Sequence, residues 1–219
     1  MTDKTNIPCG AKSNAEFCGG GRGNKAFCAY VNIGGQLLDC KPLFKCPYNC
    51  PDVSSATAQL SANQTTVSFP NIRAPTIDVL TIPVQPYTNI KTLIDDCDKD
   101  TTLNVVKQIL RDGRNNACEI HGICDPRAQC FHLPGSTSVD WIHLHTLNNK
   151  IPKEKFPCVP GIDKGCPLYT KNYVCISSNQ EEIWKNIDMG AKTIIGAVDR
   201  FYPRNKNTYI STVIENYNI

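Results

Sequence analysis

The sequence predicts a disulfide-rich α+β protein with small, irregular antiparallel sheets and about three helices. Three observations lead there. Thirteen cysteines fall in clusters along 219 residues. The first fifty residues lack apolar periodicity. The second half carries amphipathic patterns of both the helical and the strand period. An apolar share of 41% and a charged share of 20% are those of a globular chain, not a disordered one. A net charge of +3 is too slight for the concentrated basic stripe of a nucleic-acid partner. The longest aliphatic run, Ile194-Ile195-Gly196-Ala197-Val198, is far below the roughly 20 residues that cross a bilayer, so no membrane-spanning segment is expected in this chain.

Residues 1–50 are expected to form a disulfide-tied N-terminal segment. Cys9, Cys18, Cys28, Cys40, Cys46 and Cys50 lie here among glycine, asparagine and proline. Too few large apolar side chains are present to offset chain entropy by burial. Each closed loop of about 15 residues contributes roughly 3 kcal/mol in the chain-entropy model. "FCAYVNI" and "QLLDCKPLF" read as strands around Gly34-Gly35, and "CPYNCPD" as a rigid closing turn.

Residues 51–96 read as an extended β segment rich in Pro, Ser and Thr. "TTVSF" and "IDVLTI" are its strands. Pro70, Pro75, Pro83 and Pro86 forbid a long helix and keep strands short. Asn63-Gln64-Thr65 is a glycosylation sequon, relevant only on the secretory route.

Residues 97–219 form the α+β body. "DKDTTLNVVKQILRDG" predicts a helix capped by Asp98 or Thr101, with Leu103, Val106, Ile109 and Leu110 on one face and Gly113 as its stop. A second helix is expected from a capping box of Ser178 and Glu181 to about Gly190, with Ile183, Trp184 and Ile187 turned inward. "SVDWIHLHTL" alternates as a strand, placing Val139, Trp141, His143 and His145 on one half-exposed face. "KTIIGAVDRFYP" and "TYISTVIENY" fit either helix or strand.

Several constellations bear on chemistry. "FCGGGRGNKAFC" lacks the Ser or Thr of a phosphate loop and the strand that should precede it. Its single arginine is no RNA-binding repeat. The glycines are read as bends in a loop between Cys18 and Cys28. A zinc site is the sharper possibility, because structural zinc wants paired Cys or His ligands that converge. His121, Cys124, Cys130 and His132 offer a tetrahedral set, and His143 and His145 share a strand face. Against it, the chain holds no Cys-x-x-Cys pair, and long, irregular spacings suit disulfides better. A thiol nucleophile would pair Cys124 with His121 or Cys130 with His132, without a family signature. Asp95-Asp96 and Glu181-Glu182 are adjacent and read as solvated helix-start residues. No catalytic residue and no cofactor is assigned, zinc being the one ion the pattern admits.

All thirteen cysteines are disulfide candidates, the remainder being Cys97, Cys118, Cys158, Cys166 and Cys175. The odd count leaves at least one free, bridged to another chain or bound to metal. "MTDKTNIPCG" shows no signal peptide. A leader or anchor removed before Met1, oxidation outside the secretory pathway, or reduced thiols holding zinc would each reconcile the two facts.

"FCGGGRGNKAFCAYVNIGGQLLDC", "CPYNCPD" and "ACEIHGICDPRAQC", in a chain rich in Asn, Ile and Lys, resemble the cysteine-rich virion proteins of large DNA viruses. The minor capsid proteins and the envelope proteins of oral infectivity are the two similar groups. The likeness lies in composition and cysteine clustering and transfers no functional residue. It implies disulfides formed without a cleaved signal peptide, because such viruses encode a sulfhydryl oxidase. The expected function is that of a non-enzymatic structural or interaction protein of a virion or extracellular assembly. Its partners would be other proteins of that assembly. The alternatives are an entry factor bound to a host surface receptor, or a zinc module or zinc enzyme built on the 121–145 region.

Overall fold

A computed structural model describes residues 9–11, 27, 61–71, 78–119, 122–135, 139–148, 169–170 and 173–202. Seven strands form a single antiparallel sheet, where the sequence suggested several small ones. They are β1 (Ser61–Ala62), β2 (Thr66–Pro70), β3 (Asp78–Pro83), β4 (Pro126–His132), β5 (Leu144–Asn148), β6 (Tyr169–Thr170) and β7 (Tyr173–Ser177), in the order β1-β2-β3-β5-β4-β7-β6. The pairing of β3 with β5 is the reason for one sheet: it joins the two predicted strands β2 and β3, paired antiparallel, to the later strands. β4 then pairs with β5 on one side and β7 on the other.

Among the described residues four helices accompany the sheet: α1 (Ile90–Asp96), α2 (Lys99–Glu119), α3 (Glu181–Lys185) and α4 (Ile187–Phe201). α1 lies in the stretch read as extended. Asn89 caps it, accepting from Thr92 N at 2.9 Å, and Ile90, Leu93 and Ile94 are buried. The prolines just upstream hid this short period. Asp95 and Asp96 therefore end a helix; they do not start one.

α2 follows the prediction at its start, where Asp98 Oδ1 accepts from Thr101 N at 2.8 Å. Val106, Ile109 and Leu110 are fully buried against the sheet. Gly113, however, does not stop the helix. It is the point where helix and sheet come closest: a Cβ there would meet Leu144 Cδ2 at 2.7 Å and the hydroxyls of Thr81 and Thr146 at 3.1 Å. The helix ends six residues later, at Glu119. Gly122 adopts φ +69° just beyond, and Gly122 N and Ile123 N return to the carbonyls of Cys118 and Ala117.

The second predicted helix also differs. Ser178 is not its cap; its hydroxyl donates to Arg127 O at 3.2 Å, and no side chain caps α3. The chain breaks at Asn186, whose Oδ1 accepts from Asp188 N and Met189 N to start α4. α4 runs through Gly190 and absorbs "KTIIGAVDRF" as helix. Ile183, Trp184 and Ile187 pack half-buried on the core, as expected.

Helices cover one face of the sheet. Phe131, Leu144, Val174 and Ile176 meet Ile109, Leu110, Ile194 and Val198 there. Toward β2 the same interface turns polar. Asp112 Oδ2 accepts from Thr66 Oγ1 at 2.6 Å and Asn63 Nδ2 at 3.0 Å, and Asn116 Nδ2 donates to Ser68 Oγ at 3.0 Å. Asn63 of the sequon also accepts from the backbone amides of Thr65 and Thr66, so it shapes the β1–β2 turn. Arg114 donates to Trp184 O at 2.7 Å and Gln129 Oε1 at 2.8 Å, and its guanidinium lies 3.9 Å from the Trp184 ring centre. Burial pushes its pKa down to about 10, so it stays charged at neutral pH.

Among the described residues three disulfides join Cys9 to Cys97, Cys118 to Cys124 and Cys130 to Cys175. The first shows that the six N-terminal cysteines do not all pair among themselves. It spans a sequence separation of 88, worth about 4–5 kcal/mol in the chain-entropy model. Among the described residues no cysteine is free. These bridges fit an oxidising, extracellular environment. Cys18, Cys28, Cys40, Cys46, Cys50, Cys158 and Cys166 lie outside the described residues, as do the glycine loop, the Gly34-Gly35 strands, "CPYNCPD" and "TYISTVIENY". Among the described residues no helix is long and apolar enough to cross a membrane.

Gly113→Ala is expected to destabilise the fold by about 1–3 kcal/mol, the cost of overpacking outweighing the better helix propensity. Gly196→Ala, in a helix with open space around its Cβ position, is expected to stabilise by about 0.5–1 kcal/mol. Urea denaturation of the two variants checks both signs.

Candidate functional site

The side chains of β4, β5 and β7 alternate between the two sheet faces. Phe131, Leu144, Val174 and Ile176 point to the helices. The opposite face receives Cys130 and His132 from β4, His145 and Leu147 from β5, and Tyr173 and Cys175 from β7. Register brings these together: Cys130 stands opposite both His145 and Cys175, and His132 opposite Tyr173. Val67, Phe69, Leu80 and Ile82 continue this face across β2 and β3.

His143 enters from the segment leading into β5. That segment is anchored by Trp141, fully buried, whose indole N–H donates to Pro83 O at 2.9 Å. Ile142 N donates to Tyr87 O at 2.8 Å. His143 therefore reaches His132 and His145, with ring centres 4.6 and 5.3 Å away. Nε2 of His132 and Nε2 of His145 lie 3.1 Å apart, a hydrogen bond when one carries the proton. The Nδ1 of His143 lies 2.7 Å from Trp141 O. A carbonyl only accepts, so Nδ1 is the protonated nitrogen and Nε2 keeps its lone pair.

The expectation of a half-exposed face for His143 and His145 is corrected: each is only 6% exposed. Phe27 packs edge-on against His143, Trp141 and Phe69, and Tyr173 lies over His132 with centres 4.3 Å apart. Burial pushes the pKa of His132 down to about 2 and of His143 to about 3; the neighbouring imidazoles add to the effect.

The sequence-predicted candidates separate here. His132, His143 and His145 converge, with their ligand atoms all within 4.8 Å of one another. Cys124 and Cys130 are corrected as zinc ligands and as nucleophiles, because both sulfurs are consumed in disulfides. His121 lies outside the described residues. The acidic pairs form surface contacts instead: Lys91 with Asp95, Lys185 with Glu181. Tyr173 was not foreseen, although the alternation of "YVCIS" held the signal. The Asp112–Asn63–Thr66 network was not foreseen either, because its members are far apart in sequence.

No protein-family profile matches this chain, and no curated protein matches it in sequence.

Because folding holds His132 and His143 neutral, the unfolded chain takes up protons below its usual imidazole pKa of 6.5 while the folded chain does not. Stability is complete above that value and falls as the solution is acidified. Asp98, Glu181 and Asp188, whose pKa values are lowered, stay ionised down to pH 5. Chelator-treated protein is expected to lose about 4 kcal/mol between pH 7 and pH 5, roughly 2 for each of the two imidazoles. An unchanged urea midpoint across that window would contradict neutral burial.

Proposed function

We propose that this chain is a non-enzymatic, disulfide-stabilised structural or interaction protein of an extracellular or virion assembly, where it holds shape and presents surfaces to other proteins of that assembly. The disulfide between Cys9 and Cys97 carries the reading. It ties the cysteine-dense front of the chain to the junction of α1 and α2, bracing the molecule across 88 positions. Long-range bridges of this kind suit proteins that must keep their form where no chaperone attends them.

The placement of the imidazoles supports the same conclusion. Larger surface hollows, of about 610 and 410 Å³, are lined by residues such as Lys107 and Glu182, or Gln64 and Asn104. His132 and His143, held neutral by burial far below the pKa a general acid or base needs near pH 7, border a crevice of about 10 Å³. A space of that size holds about one water. The virion setting rests on the resemblance in cysteine clustering.

Denatured protein is expected to gain at least roughly 6 mass units on reduction, two hydrogens for each of the three described bridges. Native protein is expected to self-associate in light scattering or to co-purify with neighbouring proteins of its source particle. A mass indifferent to reductant overturns the reading. So does a stable monomer that binds host cells by itself, which would make the chain an entry factor.

A further inference from the structure

We propose that His132, His143 and His145 bind one zinc ion through their Nε2 atoms, at a buried site on the sheet face opposite the helices. Zinc is held by imidazole nitrogens at about 2.0–2.1 Å in a tetrahedron, which places ligand nitrogens about 3.3 Å apart. The Nε2 atoms of His132 and His145 are already 3.1 Å apart. All three ligand atoms fall within 4.8 Å of one another, so rotation of the rings closes the set without moving the strands.

The surroundings match what a metal-bound histidine needs. A ligating imidazole commonly donates its other N–H to a carbonyl or carboxylate, which fixes its tautomer and orientation. His143 does this through Nδ1 to Trp141 O at 2.7 Å. Trp141 is itself fastened by its indole to Pro83 O, so the ligand sits on a rigid support. His132 and His145 come from paired strands, β4 and β5, and β4 is cross-linked to β7 at Cys130–Cys175. Two of the three ligands therefore stand on paired strands, and the third sits on the anchored segment that leads into β5, before any ion arrives. A crevice bordered by Thr88, Asn89, His132 and His143 leaves room for one water beside two of the three imidazoles.

The donor set selects the ion. Three neutral nitrogens suit a borderline cation and offer nothing to calcium or magnesium, which take oxygen. Nearby sulfur is unavailable as thiolate, since Cys130 and Cys175 are bonded to each other. This inference stands apart from the assembly role above, because a zinc-braced core serves any function of the chain.

The test uses the full oxidised chain, stripped with chelator and titrated with cobalt(II) chloride, then zinc chloride. One cobalt per chain is expected, with the intense visible bands of a tetrahedral site, displaced by one equivalent of zinc. Zinc alone is expected to raise the melting temperature, with an increment that grows with the logarithm of its concentration above Kd. His132→Gln should weaken binding at least tenfold, while His121→Gln, at the chain's one other histidine, should leave it unchanged. Absence of a saturable cobalt spectrum, or loss of binding in His121→Gln, overturns the proposal. Should His132→Gln fail to fold, X-ray absorption of the zinc-loaded native chain decides: three imidazoles support the site, and any other count refutes it.

Discussion

Strand β4 is held along both edges, and its register decides where the chemically capable side chains end up. Cys130 faces His145 across one edge and Cys175 across the other. Because side chains alternate, a slip of one residue would turn His132 and Cys130 toward the helices and Phe131 away from them. That would set a cysteine and an imidazole among Leu110, Ile194 and Val198, away from Cys175, and would leave a phenyl ring facing His143. The Cys130–Cys175 bridge makes the slip costly even before packing is considered. Hydrogen-bonded ladder, apolar face and covalent link thus agree on one arrangement, the consistency expected of a well-specified fold.

The helix side depends on a second close fit. α2 approaches the sheet at Gly113 near enough that no side chain fits beneath it. Threonine and serine line the sheet there: Thr66, Ser68, Thr81 and Thr146 are all essentially fully buried. Small residues permit the approach, but their hydroxyls must then find partners. Asp112 and Asn116 supply them from the helix. A buried carboxylate is tolerable because it accepts several hydrogen bonds at once, from Thr66, Asn63 and Gln108.

The two faces of one sheet therefore do different work. On the helical side, burial of large aliphatic residues and a satisfied polar stripe hold the fold. On the other side, a disulfide stands next to three packed imidazoles, with aromatic rings closing over them. Cross-linking and ligand geometry support each other there, since the bridge fastens the strands that present His132 and His145. A protein built to keep its shape outside the reducing cytosol gains from both. The same rigidity also preorganises nitrogen donors for an ion.

Local patterns were legible in the chain itself. The strands "TTVSF" and "IDVLTI", the Asp98 cap, the apolar face of α2 and the disulfide character all follow from period, capping chemistry and composition, which neighbouring residues settle among themselves. The alternation around "WIHLH" likewise put His143 and His145 on a common face. What no local pattern holds is contact between distant segments. Gly113 reads as a helix stop in sequence, yet tertiary packing makes it the seat of α2, because only the facing Leu144, Thr81 and Thr146 reveal the missing space. Cys124 and Cys130 read better as bridge partners than as ligands, but their partners appeared only when strand register set Cys130 beside Cys175 and the end of α2 brought Cys124 back to Cys118. His132 joined His143 and His145 only through the pairing of β4 with β5. Sequence determined which elements form, since propensity and periodicity are short-range; folding alone decided which side chains meet, since that depends on register and on which face each strand turns inward.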